Sequence, residues 1–144
     1  MVTMRVAQQL HVWQRVFAAG PESVPAARRE LREVLAAWGW SDADRLADLL
    51  VICSELITNA VTHASEPGDQ IRVRLQEIDG DCRLEVHDRR PDLLPPRTPR
   101  PRGEHGRGLL LVKGLAEDMD VVTMKGSKHV WARVLLGVNP ERAA

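Results

Sequence analysis

Cysteine, lysine and net charge are all scarce in this chain, and each shortage excludes something. Only two cysteines, Cys53 and Cys82, occur in 144 residues. They lie far apart with no C-x-x-C spacing, which argues against a disulfide or metal staple and reads as two small buried hydrophobes. Basic and acidic residues number 20 each, so the net charge is zero and points to neither nucleic acid nor a membrane surface. No uninterrupted apolar run approaches the ~18 residues of a membrane helix. The opening MVTMRVAQQL lacks the apolar stretch and cleavage site of a signal peptide. Repeats and dividing linkers are absent as well. What is present is an ordinary globular composition, 44% hydrophobic and 28% charged, which excludes a disordered chain. The expectation is one cytoplasmic domain over residues 10–136, with terminal extensions at 1–9 and 137–144.

Periodicity sets the elements. HVWQRVF (11–17) reads as a strand before the Gly20-Pro21 turn. Val24, Ala27, Leu31, Val34 or Leu35, and Trp38 recur at helical spacing, with Pro25 in the first turn and Gly39 at the end. A second helix is expected from Ser41, capped in concert with Asp44 and running to the Pro67-Gly68 turn. IRVRLQ (71–76) and CRLEVHD (82–88) alternate as a hairpin about Asp79-Gly80. Residues 89–105 hold five prolines and no periodicity, the mark of a lid or linker. GRGLLLVKGLAEDM reads as a glycine-started helix. DVVTM and HVWARVLL then form a second hairpin joined by Lys125-Gly126-Ser127-Lys128. Hairpins grouped around helices predict an α+β fold, with a mixed or antiparallel sheet and three helices on one face.

Three features carry chemistry. Glu55 and Asn59 are one helical turn apart; a carboxylate can accept a proton, and an amide oxygen can ligate Mg²⁺. Spacing alone fits a solvated helix face equally. Asp88 ends a strand, where it could accept a hydrogen bond from an exocyclic amine such as that of adenine, or simply cap a turn. Gly106-Arg107-Gly108 opens a helix, whose free N–H groups and positive dipole end suit phosphate; it is neither a P-loop nor a dinucleotide fingerprint. Between them lie Arg89, Arg90, Arg97, Arg100, Arg102 and Arg107 against Asp92 and Glu104, a run of cations fit for phosphate oxygens. No aromatic residue interrupts it on which a base could stack, so an arm for direct nucleic-acid binding is not expected.

The order of these features resembles the GHKL ATPase superfamily, to which gyrase and the histidine kinases belong. The strings SELITNAVTHA (54–64), GRGLLLV (106–112) and Val130-Trp131-Ala132, with Ala27-Arg28 and Trp38-Gly39, look like the anti-sigma-factor serine kinase-type regulators common in actinobacteria, the RsbW-like branch. That resemblance implies a Bergerat-type two-layer α/β sandwich binding ATP and Mg²⁺. Glu55 then matches the general base, Asn59 the Mg²⁺ ligand and Asp88 the adenine-binding carboxylate. Gly106, Arg107, Gly108 and Leu109 match the phosphate-holding glycine box, and Arg28 a partner-contacting arginine. The implied partners are a sigma factor, a STAS-domain anti-anti-sigma protein and a second copy of the chain, with no nucleic acid or membrane. The implied reaction is transfer of the γ-phosphoryl group to a serine of the STAS protein. Arg89-Arg90-Pro91 depart from the glycines usual after the Asp, which leaves open a partner-binding regulator of the same fold without phosphotransfer.

Overall fold

A computed structural model describes residues 9–41, 44–63, 65–90 and 107–137. The elements are β1 (Leu10–Ala18), α1 (Ser23–Ala37), α2 (Leu46–His63), β2 (Gln70–Ile78), β3 (Asp81–Asp88), α3 (Arg107–Leu115), β4 (Asp118–Met124) and β5 (Ser127–Leu135). They build one five-stranded sheet in the order β1-β2-β3-β5-β4, every neighbouring pair antiparallel. Three helices lie against it, so the fold is α+β, and the expected choice between mixed and antiparallel falls to antiparallel.

The period-two pattern decides which side is core. Ile71, Val73 and Leu75 of β2 and Cys82, Leu84 and Val86 of β3 are buried against Leu31, Leu35, Ile52, Leu56 and Ile57 of α1 and α2. Each such aliphatic side chain contributes about 1.5–3 kcal/mol on burial. Trp13 and Phe17 of the edge strand β1 pack on the same core, while Leu10, Val12 and Val16 alternate out to solvent. Asp79 and Gly80 both take positive φ, 50° and 87°, the pairing that a two-residue hairpin of this twist requires. Glycine at 80 is also a matter of room, since a methyl group there would strike the Gly137 carbonyl and come within 2.9 Å of the Trp40 ring. Both cysteines are buried and free, and burial pushes the Cys53 thiol up to about 12, so it is an inert packing group.

Two expectations need correction. The second helix begins at Leu46, not after Ser41; Asp44 and Arg45 sit in a turn, and residues 42–43 lie outside the described residues. Arg45 is used instead as a tertiary anchor, donating to Asp48 Oδ2 (2.9 Å), the Leu115 carbonyl (2.6 Å) and Glu117 Oε1 (2.8 Å). Those contacts hold the start of α2 to the end of α3. The third helix ends at Leu115, because Glu117 N–H donates to the Arg133 carbonyl at 2.9 Å and Asp118 already pairs with β5. α2 as a whole is long and apolar enough, by length and composition, to cross a membrane. Leu49, Leu50, Ile52, Cys53, Leu56, Ile57 and Ala60 are, however, buried in the helix–sheet core.

One topological step positions the site. β3 and β4 are not neighbours, because β5 inserts between them. The last residue of β3, Asp88, therefore lies opposite Lys128 near the start of β5.

Candidate functional site

Three of the residues singled out in the sequence meet where α2 faces the start of α3. A methyl group placed on Gly108 would stand 2.5 Å from Glu55 Oε2 and 3.8 Å from Asn59 Oδ1. Carbon and oxygen do not approach to 2.5 Å, so glycine is what lets the first turn of α3 rest against that carboxylate. Asn59 is 8% exposed, and its Nδ2 is buried with no hydrogen-bond partner among the described residues. An unpaired buried amide costs about 1–3 kcal/mol, a burden a folded chain keeps where a ligand relieves it. Glu55 is half-buried. The arrangement brings a carboxylate, an amide and the positive end of a helix to one place, a set that suits phosphate and a hard cation.

Asp88 is in a different condition. It is 4% exposed, and its Oδ1 accepts from Lys128 Nζ at 2.9 Å and from the Arg90 N–H at 2.8 Å. The second bond is the turn-capping role anticipated for a strand-end Asp. Lys128 is 1% exposed and also donates to the Arg90 carbonyl at 2.8 Å. Burial raises the Asp88 carboxyl above its usual range, and the Lys128 and Arg90 hydrogen bonds pull against that rise. Asp88 Oδ2 makes no hydrogen bond among the described residues. Arg90 itself reaches the α2–β2 connection, with Nη2 2.9 Å from Glu66 Oε2 and Nε 3.2 Å from Asp69 Oδ2. Its guanidinium is engaged by acids, whereas most of the arginine run lies outside the described residues.

The remaining residues fall as follows. Arg28 on α1 donates from Nη1 to Ser54 Oγ at 2.7 Å, so it sits against α2 one residue before Glu55. Leu109 packs on the core. Arg107 opens α3, but its side chain, like Gly106 and the arginines at 97, 100 and 102, lies outside the described residues. Lys128 was assigned by sequence to a connection and not to the site. It belongs to β5. The signal was available, since stepping back by two from Val134, Ala132 and Val130 puts Lys128 on the inward face.

A family model described as a histidine kinase-like ATPase domain, HATPase_c_2, matches residues 17–134. Among solved structures, that of the RsbU and RsbW domains of Rv1364c from Mycobacterium tuberculosis superposes with a TM-score of 0.59 at 22% identity. The match covers 86% of this chain and 32% of that one, so this chain spans about a third of that chain's length and the likeness is one of fold. No curated protein matches.

Proposed function

The chain belongs to the histidine kinase-like ATPase domain family, and on that premise we propose that it is a MgATP-binding anti-sigma regulator. In this reading it holds a sigma factor, and it transfers the γ-phosphoryl group of ATP to a serine of a STAS-domain antagonist. The observation that carries the proposal is the meeting of Glu55, Asn59 and Gly108, where glycine is needed for contact and the Asn59 amide is left unpaired.

The residues present fit the cation and the triphosphate. Asn59 offers a hard oxygen ligand, and Mg²⁺, when bound, would neutralise phosphate charge. The first amides of α3 would hold phosphate oxygens through the helix dipole and free N–H groups. Asp88 Oδ2 would accept from the amino group of the base. Glu55 would take the proton of the serine hydroxyl as that oxygen bonds to the γ-phosphorus and the bond from the γ-phosphorus to the bridging oxygen breaks, leaving ADP. Catalysis of this kind rests on positioning and charge neutralisation. Arg28, beside α2 on α1, would meet the partner near the same site.

Calorimetric titration of MgATP into the wild-type protein and Asn59→Ala is the first test, followed by mass spectrometry for phosphoserine on a STAS-domain protein incubated with both. Saturable binding lost in Asn59→Ala, and phosphoserine formed only with the wild type, is expected. Binding without phosphoserine would leave a nucleotide-binding regulator that sequesters its partner without transfer. No binding at millimolar MgATP would remove the nucleotide reading altogether.

A further inference from the structure

The Lys128 ammonium group has no place in the chemistry described so far, yet it is among the most deeply buried polar groups of the molecule. Charges are buried this completely only when paired and hydrogen-bonded. Here the pairing is specific: two donors, Lys128 Nζ and the Arg90 N–H, converge on one oxygen of Asp88 and leave the other without a partner. The same Nζ binds the Arg90 carbonyl, so one side chain on β5 fixes both the orientation of the carboxylate and the main chain just after β3. The Arg90 side chain ties that point in turn to Glu66 and Asp69 of the α2–β2 connection.

We infer that Lys128 is the positioning residue of the base-binding end: it holds Asp88 as a carboxylate turned so that Oδ2 alone faces the purine, and thereby sets affinity for the base without touching the phosphates. The inference rests on the nucleotide reading above and adds to it the residue through which Asp88 acts. Asp88 is buried enough that desolvation favours its neutral form. The charged groups acting on it are Lys128 from β5 and His87 from β3, and of these Lys128 alone is within hydrogen-bond distance of the carboxylate. Without Lys128 the carboxylate would keep only the Arg90 N–H on Oδ1 and lose the charge that opposes its protonation, and a proton on Oδ2 would turn the acceptor into a donor facing the donor amine.

The test is a double-mutant cycle on Lys128→Met and Asp88→Asn, read with MgATP and separately with magnesium tripolyphosphate, which lacks the base. Lys128→Met is expected to weaken MgATP roughly ten- to a hundredfold, leave tripolyphosphate within about twofold, and add nothing when Asp88 is already Asn. Lys128→Gln, which keeps one donor, is expected to recover part of the loss. Tripolyphosphate binding also reports folding, so a variant that keeps it is a folded variant. Additive losses, or equal losses for both ligands, would overturn the inference by making Lys128 a merely structural residue. If the wild type binds neither ligand, it is the nucleotide reading that fails; if it binds both and Lys128→Met binds MgATP normally, only the inference fails.

Discussion

The two ends of the site are built on opposite plans. At the α2–α3 end, Glu55 and Asn59 face a glycine, and the Asn59 amide nitrogen has no partner among the described residues. At the β3–β5 end, Asp88, Lys128 and the Arg90 main chain satisfy one another at 2.8–2.9 Å. One end holds a buried amide with no partner; the other keeps one acceptor, Asp88 Oδ2, on a cluster otherwise bonded to itself. A ligand gains most where it relieves an unpaired group and least where it must share one already bonded. The comparison therefore assigns most of the nucleotide's binding free energy to the phosphates and a smaller, orienting part to the base.

The largest expected effect tests the open end. Glu55→Gln keeps the shape and the hydrogen-bonding reach while removing the base, so phosphotransfer should fall by about 10²–10⁴-fold with MgATP affinity within about threefold. Radiometric transfer to a STAS-domain protein, beside calorimetry, measures both. Transfer at the wild-type rate would remove Glu55 from the chemistry. Next in size is Gly108→Ala, whose methyl group has no room beside Glu55 Oε2. Affinity for tripolyphosphate and MgATP alike should fall, roughly ten- to a hundredfold. A loss confined to MgATP would show that α3 touches the base, and the two-ended picture would break.

The open end was the easier one to see in the sequence, for a physical reason. Glu55 and Asn59 are four apart on a helix, and helical spacing is local, so a sequence alone puts them on one face. Gly108 follows from its motif, although nothing in the spacing says that Glu55 fills the space a Cβ would take. The closed end depends on β5 inserting between β3 and β4, a non-local pairing in which Asp88 meets Lys128 forty residues away. Extending the alternation back from Val130 turns Lys128 inward, but next to Lys125-Gly126-Ser127 it reads as part of the turn. The start of α2 was misjudged for a related reason: Ser41 and Asp44 offer a local cap, whereas Arg45 is committed to carbonyls and acids on other elements. The β2–β3 hairpin with its Asp79-Gly80 turn and the core faces, all local in origin, came out as the alternation predicts, whereas the β4–β5 connection is confined to Lys125-Gly126.

A smaller effect separates the ends by pH. Burial holds the Asp88 carboxyl above its ordinary range, so its acceptor role is intact well above that raised value and is lost as pH falls through it. The ratio of MgATP to tripolyphosphate affinity should therefore decline on acidification sooner than an unperturbed carboxylate, at about 3.9, would allow. Asp88→Asn, which does not titrate, measured in parallel separates this decline from the titration of the ligands themselves. For folding the sign is the reverse: a carboxyl whose folded pKa is raised favours the folded state more as the pH drops. A ratio flat to the acid limit of folding would mean that the base is not read by Asp88.

The smallest effect concerns Arg90, and its smallness is what makes it informative. The residue has two parts. Its main-chain N–H and carbonyl complete the Asp88–Lys128 cluster, whereas its guanidinium bridges Glu66 and Asp69, which are 66% and 28% exposed. Partly exposed ion pairs of this kind contribute about 0–1 kcal/mol. Arg90→Ala removes the second part and keeps the first, so MgATP affinity should move by less than about fivefold and the melting temperature only slightly. Calorimetry and a thermal melt at low and moderate salt suffice. Should affinity instead collapse for tripolyphosphate as well as MgATP, the guanidinium must leave its acids for the phosphates when ligand binds. Arg90 would then belong to the open end, and the division between the ends would be a property of the unliganded chain alone.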